Sequence, residues 1–358
     1  MKLRAVPYEV PYRRPIQTAH GTLTTRKGFW VLAEETGVFG IGEVAPLPEW
    51  GTERLADAQR ALSSLPEFAL PDASALGAAL SALGLDRDRL PATAAGVEVA
   101  CLDLVARLQG VSLATLLVPE GVSPLASLPA NALLTAFDPE ALAAEARLRV
   151  SEGFRTLKIK LGQGAIAVDA ARVRAVREAV GEEIRLRGDA NAAWDVETAV
   201  KALTHLQSFN LEYLEQPVPD ASALASLRNL ALVPVAADES AQDPGAVRRL
   251  IDERAVDWLI LKPMALGGLG YTSRLAREAQ EAGIGVTLTS VLDRGVGTAA
   301  ALHLAAALGL SSASGLSNTH MEATYFVGPT PKNGRLSLQA PGHGVSQGLI
   351  PREVAHDA

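Results

Sequence analysis

Between residues 129 and 307 a short apolar run and a stretch of helical length alternate, and the beat is kept seven times. The apolar runs cover 129–135, 155–161, 184–189, 211–215, 233–238, 256–262 and 284–289. Amphipathic spacing marks 138–152, 168–180, 196–207, 269–282 and 296–307 as helices. Strands joined through helices run parallel, because such a crossover returns the chain to the start of the next strand. The chain is therefore confined to a parallel α/β fold. An eighth, weaker strand at 313–316 completes the number for a closed TIM-type barrel, which fits the length better than an open sheet.

A chain of 358 residues is long for one domain, and a second is expected. Residues 1–45 hold strand-like runs at 3–10, 27–33 and 37–42; between the first two, 14–26 is polar and glycine-containing and reads as a loop. From 52 to 110 the texture is helical and rich in Ala and Leu, broken at Pro66, Pro71 and Pro91. After about 325 the repeat stops, and a Gly- and Pro-punctuated tail carries one strand-like run, 334–339. The expected division is an α+β domain over 1–120, the barrel over 121–324, and a tail over 325–358 that returns to the first domain. Apolar residues make up 48% and aromatics only 4%, so the core is built from Ala, Leu and Val. A formal charge of −7 argues against nucleic-acid binding. The single cysteine, Cys101, lies in an apolar helical run and reads as a small core residue. No apolar h-region follows Met1, and no run reaches the ~18 apolar residues of a membrane span, so a cytoplasmic protein without a membrane partner is expected.

Charged residues recur at the ends of successive strands. Lys158 and Lys160 share one face of the second strand, while Leu157, Ile159 and Leu161 face the other way. The third strand ends in Asp189-Ala-Asn191, the fourth in Glu215-Gln-Pro217, the fifth in Asp238-Glu239 and the sixth in Lys262-Pro263. Asp189, Glu215, Asp238 and Lys262 follow one another at intervals of 26, 23 and 24 residues, one βα unit per step. In a TIM barrel these strand ends converge on one mouth. Three carboxylates without Cys or His form an all-oxygen site suited to Mg²⁺ or Mn²⁺. Lys160 and Lys262 flank it from opposite sides. A metal to hold a substrate carboxylate and a neutral lysine to take the adjacent proton make a proton-abstraction site. Alone, a strand-end carboxylate reads as a helix cap and Lys-X-Lys as a solvated face; five groups in one register do not. Asn191 and Glu239 are expected to orient the ligands. Arg185 and Arg187 share the parity of Asp189 and need partners if they point inward, whereas His20 reads as a solvated loop histidine. A Schiff-base aldolase, which EDTA would not inhibit, and a non-catalytic binding barrel, which would hold no metal, are the competing classes.

These motifs resemble the enolase superfamily, for which lysine bases working with Mg²⁺ are a known pattern. Within its muconate-lactonizing subgroup the match runs through Lys158-Ile-Lys160, Asp189-Ala-Asn-Ala-Ala-Trp194, Glu215-Gln-Pro217, Ala237-Asp-Glu-Ser240 and Lys262-Pro-Met-Ala-Leu-Gly-Gly-Leu269. The segment Gly42-Glu-Val-Ala-Pro-Leu-Pro48 resembles the capping domain of that group. The resemblance implies a capping α+β domain over a (β/α)7β barrel, with Asp189, Glu215 and Asp238 as Mg²⁺ ligands. It makes Lys160 and Lys262 the acid/base pair, and Lys158 an auxiliary lysine that lowers the pKa of Lys160. The stretch Glu43-Val-Ala-Pro-Leu-Pro-Glu-Trp-Gly-Thr-Glu53 and the ending Pro341-Gly-His-Gly-Val345 are most similar to the o-succinylbenzoate synthase family. That family implies syn dehydration of 2-succinyl-6-hydroxy-2,4-cyclohexadiene-1-carboxylate in menaquinone biosynthesis, a small-molecule carboxylate as the partner. The segment Thr289-Ser-Val-Leu-Asp293-Arg-Gly-Val-Gly297 leans towards N-succinylamino acid racemases, the alternative. No Asp-X-Asp follows strand seven to hold the ammonium of a dipeptide. Arg26 in the loop at 15–26, with Ser290 and Gly315, is expected to hold the distal part of the substrate; the sequence leaves homo-oligomerisation open.

Overall fold

The structure, a computed structural model, describes residues 1–18, 21–69, 75–317 and 328–345. Three antiparallel strands open the chain in the order β1 (Lys2–Thr18), β2 (Gly21–Glu35), β3 (Val38–Val44). The segment 14–26 is not a loop: β1 and β2 pair out to Thr18↔Gly21, across a register irregularity between Pro11 and Ile16. Pro11 and Pro15 are tolerated there because β1 is an edge strand. Much of this hairpin tip is exposed, so it lacks the apolar alternation by which a sequence betrays a strand. His20 lies outside the described residues.

Four helices follow, α1 (Leu55–Ser63), α2 (Leu76–Ala82), α3 (Pro91–Leu108) and α4 (Leu113–Leu117). Helix α3 begins with Pro91, and Glu53 accepts from the free amides of Ala92 (3.0 Å) and Thr93 (2.7 Å). It lies directly on β3: a Cβ at Gly42 would stand 1.9 Å from the carbonyl of Gly96, so glycine alone permits the contact. Cys101, fully buried in α3, has its thiol pushed up to about 12 by burial.

The barrel follows β4 (Ser127–Pro129). Its staves and helices are β5 (Asn131–Leu134), α5 (Pro139–Ser151), β6 (Thr156–Lys160), α6 (Ile166–Val180), β7 (Arg185–Asp189), α7 (Val196–Leu206), β8 (Leu211–Glu215) and α8 (Ala221–Asn229). They continue with β9 (Val235–Ala237), α9 (Pro244–Asp252), β10 (Trp258–Leu261), α10 (Leu269–Glu281), β11 (Gly285–Leu288) and α11 (Val296–Ala307). The strands form one parallel sheet in sequence order from β5 to β11. The eighth stave is two parallel bridges, Ser314 to Ala130 and Gly315 to Thr289, which join the two edges. The fold is thus an α/β TIM-type barrel with a separate N-terminal capping domain. A last strand, β12 (Arg335–Ser337), pairs with β4, and the amide of His343 beyond it donates to Asp103 Oδ1 on α3 at 2.8 Å.

Arg187, fully buried on β7, finds its partners across the barrel. Its Nε donates to Glu212 (2.6 Å), Nη1 to the Ala313 carbonyl (2.8 Å) and Nη2 to Ser312 (2.8 Å). Its guanidinium also lies 4.8 Å from the centroid of Tyr213. The short eighth stave is therefore bolted to β7 and β8 from within. Arg185, at the start of β7, is 60% exposed and reaches the same Glu212 at 3.5 Å.

Candidate active site

Parity and register build the site. On β6, Leu157 and Ile159 are fully buried while Lys158 and Lys160 alternate with them on the other face. Lys160 stands beside Asp189, and Asp189 beside Glu215. Glu215 pairs with Ala236, and Asp238 follows two residues later with the same parity. Lys262 comes directly after β10.

The structure brings these groups into contact. Lys158 Nζ donates to Glu215 Oε1 (2.6 Å) and lies 2.8 Å from Asp189 Oδ2. Lys160 Nζ reaches Asp189 Oδ2 (2.7 Å) and Asn191 Oδ1 (2.6 Å). Lys262 Nζ bonds Asp238 Oδ1, and the ring centroid of Trp50, from the capping domain, lies 4.0 Å from the same ammonium. Asn191 Nδ2 donates to Glu239 Oε1 at 3.1 Å, which links Lys160 to Glu239.

Charge and burial set the protonation of these groups. Burial pulls Lys158 down, but the adjacent Asp189 and Glu215 more than reverse this and leave it raised. Burial likewise pushes Asp189 up, yet Lys158 and Lys160 hold it below the carboxylate range. Glu215 is raised, by burial and then by Asp189; Glu239 is raised for the same reasons. Lys262 falls to about 7, through burial first, with Lys158 and Lys160 adding to it against Glu215 and Asp189. The lysine poised near neutrality is thus Lys262.

Chemically, the donor set fits a hard divalent cation: three carboxylates from adjacent strands, of which Glu215 Oε2 is buried without a hydrogen-bond partner among the described residues. Among the described residues no three such side chains already stand together as a finished metal site. The ammonium of Lys158 bridges Asp189 and Glu215, where it balances their charge. Asp189, Glu215 and Asp238 are the residues that would hold a metal.

Ser290 and Gly315 lie beside one another: Thr289 Oγ1 donates to the Gly315 carbonyl at 3.1 Å, and Ser290 follows. Arg26 sits at the junction of the capping domain and the barrel. It is 3% exposed, and its guanidinium donates to the carbonyls of Pro46 (2.7 Å), Leu292 (3.1 Å), Val291 (3.2 Å) and Ala45. It ties the capping domain to the loop after β11. Two contributors escape the sequence. Trp50 lies 212 positions from Lys262, and nothing local couples them. Gln216, fully buried at φ 37°, accepts from the amides of Asp238 (2.9 Å) and Ser240 (3.1 Å) and so sets the turn that carries Asp238. Its only outward sign is its place in Glu215-Gln-Pro217.

Comparison with known proteins bears on both parts of the chain. Residues 141–347 match the family model "Enolase C-terminal domain-like", and residues 2–104 match "MenC, N-terminal domain". The o-succinylbenzoate synthase of Thermobifida fusca is 42% identical over 184 residues, which span 50% of this chain and 55% of that protein. The chloromuconate cycloisomerase CbnB of Cupriavidus necator is 33% identical over 315 residues, 85% of this chain and 84% of that protein. Among solved structures, the dipeptide epimerase of Enterococcus faecalis complexed with Mg and L-Leu-L-Tyr superposes with a TM-score of 0.85 at 28% identity, covering 96% of this chain and 99% of that one. With lysines and carboxylates on the strand ends of such a barrel, under such a cap, the chain belongs to the enolase superfamily.

Proposed function

We propose that the protein is an o-succinylbenzoate synthase, which dehydrates 2-succinyl-6-hydroxy-2,4-cyclohexadiene-1-carboxylate to o-succinylbenzoate in menaquinone biosynthesis. The observation that carries the chemistry is the placement of Lys160 and Lys262, from strands four apart, around Asp189, Glu215 and Asp238. The match of residues 2–104 to the MenC N-terminal domain, with the 42% identity to a synthase, supports the choice of reaction.

Magnesium held by Asp189, Glu215 and Asp238 would supply positive charge to the substrate carboxylate and so acidify the adjacent C–H. Lys160, as the neutral amine, takes that proton. A syn elimination then needs only one face: the same lysine, now an ammonium, hands the proton to the departing hydroxyl. One C–H and one C–O bond break, a ring double bond forms, and water leaves. Lys262, on the opposite side of the site, faces the developing anion, and Asn191 holds Lys160 in reach while it waits. Ser290 and Gly315, at the ends of neighbouring staves, would border the succinyl arm.

Purified protein with Mg²⁺ is expected to bleach the diene absorbance of the substrate, and Lys160→Ala to abolish this. No turnover in a metal-replete assay would exclude the synthase. A second activity, racemisation of N-succinylamino acids, is favoured by one observation: two lysines enter the site from opposed strands, as a two-base exchange requires. Incubation of either enantiomer in D₂O without α-deuterium incorporation would exclude it.

A further inference from the structure

We propose that Arg172 and Asp169, on α6 in the outer layer of the barrel, are positioning residues for Lys160. This rests on the proton-transfer role of Lys160 proposed above. The need for them arises from how two staves end. Pairing of β5 with β6 stops at Leu134↔Ile159, one residue short of Lys160. Beyond that point β5 turns outwards, and the amides of Thr135 and Ala136 donate to Glu145 on α5 at 2.9 and 3.0 Å. On the other side the amide of Leu161 still donates to the Asp189 carbonyl, at 2.8 Å. The Lys160 carbonyl therefore faces the side from which its neighbour strand has withdrawn.

Arg172 fills that place. Its Nη1 donates to the Lys160 carbonyl at 2.7 Å and its Nη2 to the Ala136 carbonyl at 3.3 Å, so one guanidinium ties the ends of both staves. Asp169, one turn earlier, accepts from Arg172 Nη1 (3.1 Å) and from the Gly162 amide (2.7 Å). Three consecutive backbone groups, at 160, 161 and 162, are thus fixed by α6 and β7. Both side chains are buried, Arg172 at 1%, and the Arg172 guanidinium also lies 5.2 Å from the centroid of Phe137. Gly162, at φ 76°, closes the turn so tightly that a Cβ would come within 2.7 Å of Ala193 Cβ. The Lys160 side chain, by contrast, is 32% exposed. A reaching side chain on a fixed root is what proton transfer at a defined face demands, since a shift of order 1 Å at a reacting group costs about 10²-fold in rate.

The test compares wild type, Arg172→Met and Arg172→Lys in Mg²⁺-replete steady-state assays, and reads amide hydrogen exchange at 160–164 without substrate. In Arg172→Met, kcat is expected to fall roughly 10- to 100-fold with KM within about twofold. Exchange at Leu161 and Gly162 should rise there, while the ends of β8 and β10 keep their protection. Arg172→Lys, which retains one donor for the Lys160 carbonyl, should recover most of kcat. Should Arg172→Met fail to fold, Asp169→Asn takes its place, with the same loss in kcat at a smaller scale. Wild-type kcat in the variant, unchanged exchange at Gly162, or no recovery with lysine would each overturn the proposal. Absence of turnover in the wild type would instead overturn the role of Lys160, and the amide exchange would still decide whether the clamp exists.

Discussion

Lys262 is a buried lysine directly after the end of β10. Buried beside Asp238 and under the ring of Trp50, it titrates near 7, where a small change in environment decides its charge. On the proposed reaction, replacing it with Met removes a group that faces the developing anion, and a loss of about 10²- to 10⁴-fold in kcat is expected. Trp50→Leu tests the ring alone: a cation–π contact is worth roughly 0.5–2 kcal/mol, so kcat should change by about 2- to 30-fold with little change in melting temperature. Gln216→Met frees the amides of Asp238 and Ser240 and should weaken Mn²⁺ binding by about 10- to 100-fold in calorimetry. Unchanged affinity would show that the turn holds itself. At this scale the sequence was legible where chemistry repeats at strand spacing. Lys158, Lys160, Asp189, Glu215, Asp238 and Lys262 announce themselves by parity and interval; Trp50, Gln216 and the buried state of Arg26 follow from contacts that no local pattern encodes.

Among the elements, α11 is tied to the cap by a histidine that stays neutral in place at neutral pH. The ring Nδ1 of His303 accepts from the Ala114 amide on α4 at 3.1 Å, and burial, reinforced by His343, lowers its pKa from the ordinary 6.5 to about 3. A lowered folded pKa means the unfolded chain binds the proton first as pH falls. The stability this contact contributes is therefore complete above about 6.5 and is lost progressively towards 3. Between pH 6.5 and 4 the loss is about 3 kcal/mol, to order of magnitude. Asp293 works in the opposite sense, since burial and then Glu43 raise it to about 7 and its contribution fades as pH rises from about 4 to 7. The difference between wild type and His303→Asn isolates the histidine: urea midpoints of the two should diverge at neutral pH and converge towards pH 4. Parallel profiles would contradict this. The helices α5, α6, α7, α10 and α11 were readable from the spacing of their apolar residues, whereas the hairpin tip of β1 and β2 was not, because much of it is uncovered by core.

For the whole molecule, the cap and barrel are joined by buried polar contacts. Arg26 spans carbonyls at 45–46 and 291–292, and Glu43 accepts from Tyr8 (2.7 Å) and from the amides of Arg294 (2.7 Å) and Gly297 (3.0 Å) at the start of α11. Removing the guanidinium strands several buried carbonyls, so Arg26→Met should cost about 2–4 kcal/mol in urea unfolding. The closed barrel was foreseeable from seven repeats and a weak eighth. This junction was not, because its partners lie some 250 residues apart and only folding brings them together. We propose that this junction and these strand ends enclose a Mg²⁺-dependent proton abstraction by Lys160. This is tested most directly by following the diene absorbance with wild type, EDTA-treated wild type and Lys160→Ala side by side. We expect rapid bleaching in the first, none in the second until Mg²⁺ is restored, and none in the third; bleaching that survives either EDTA or the loss of Lys160 would contradict it.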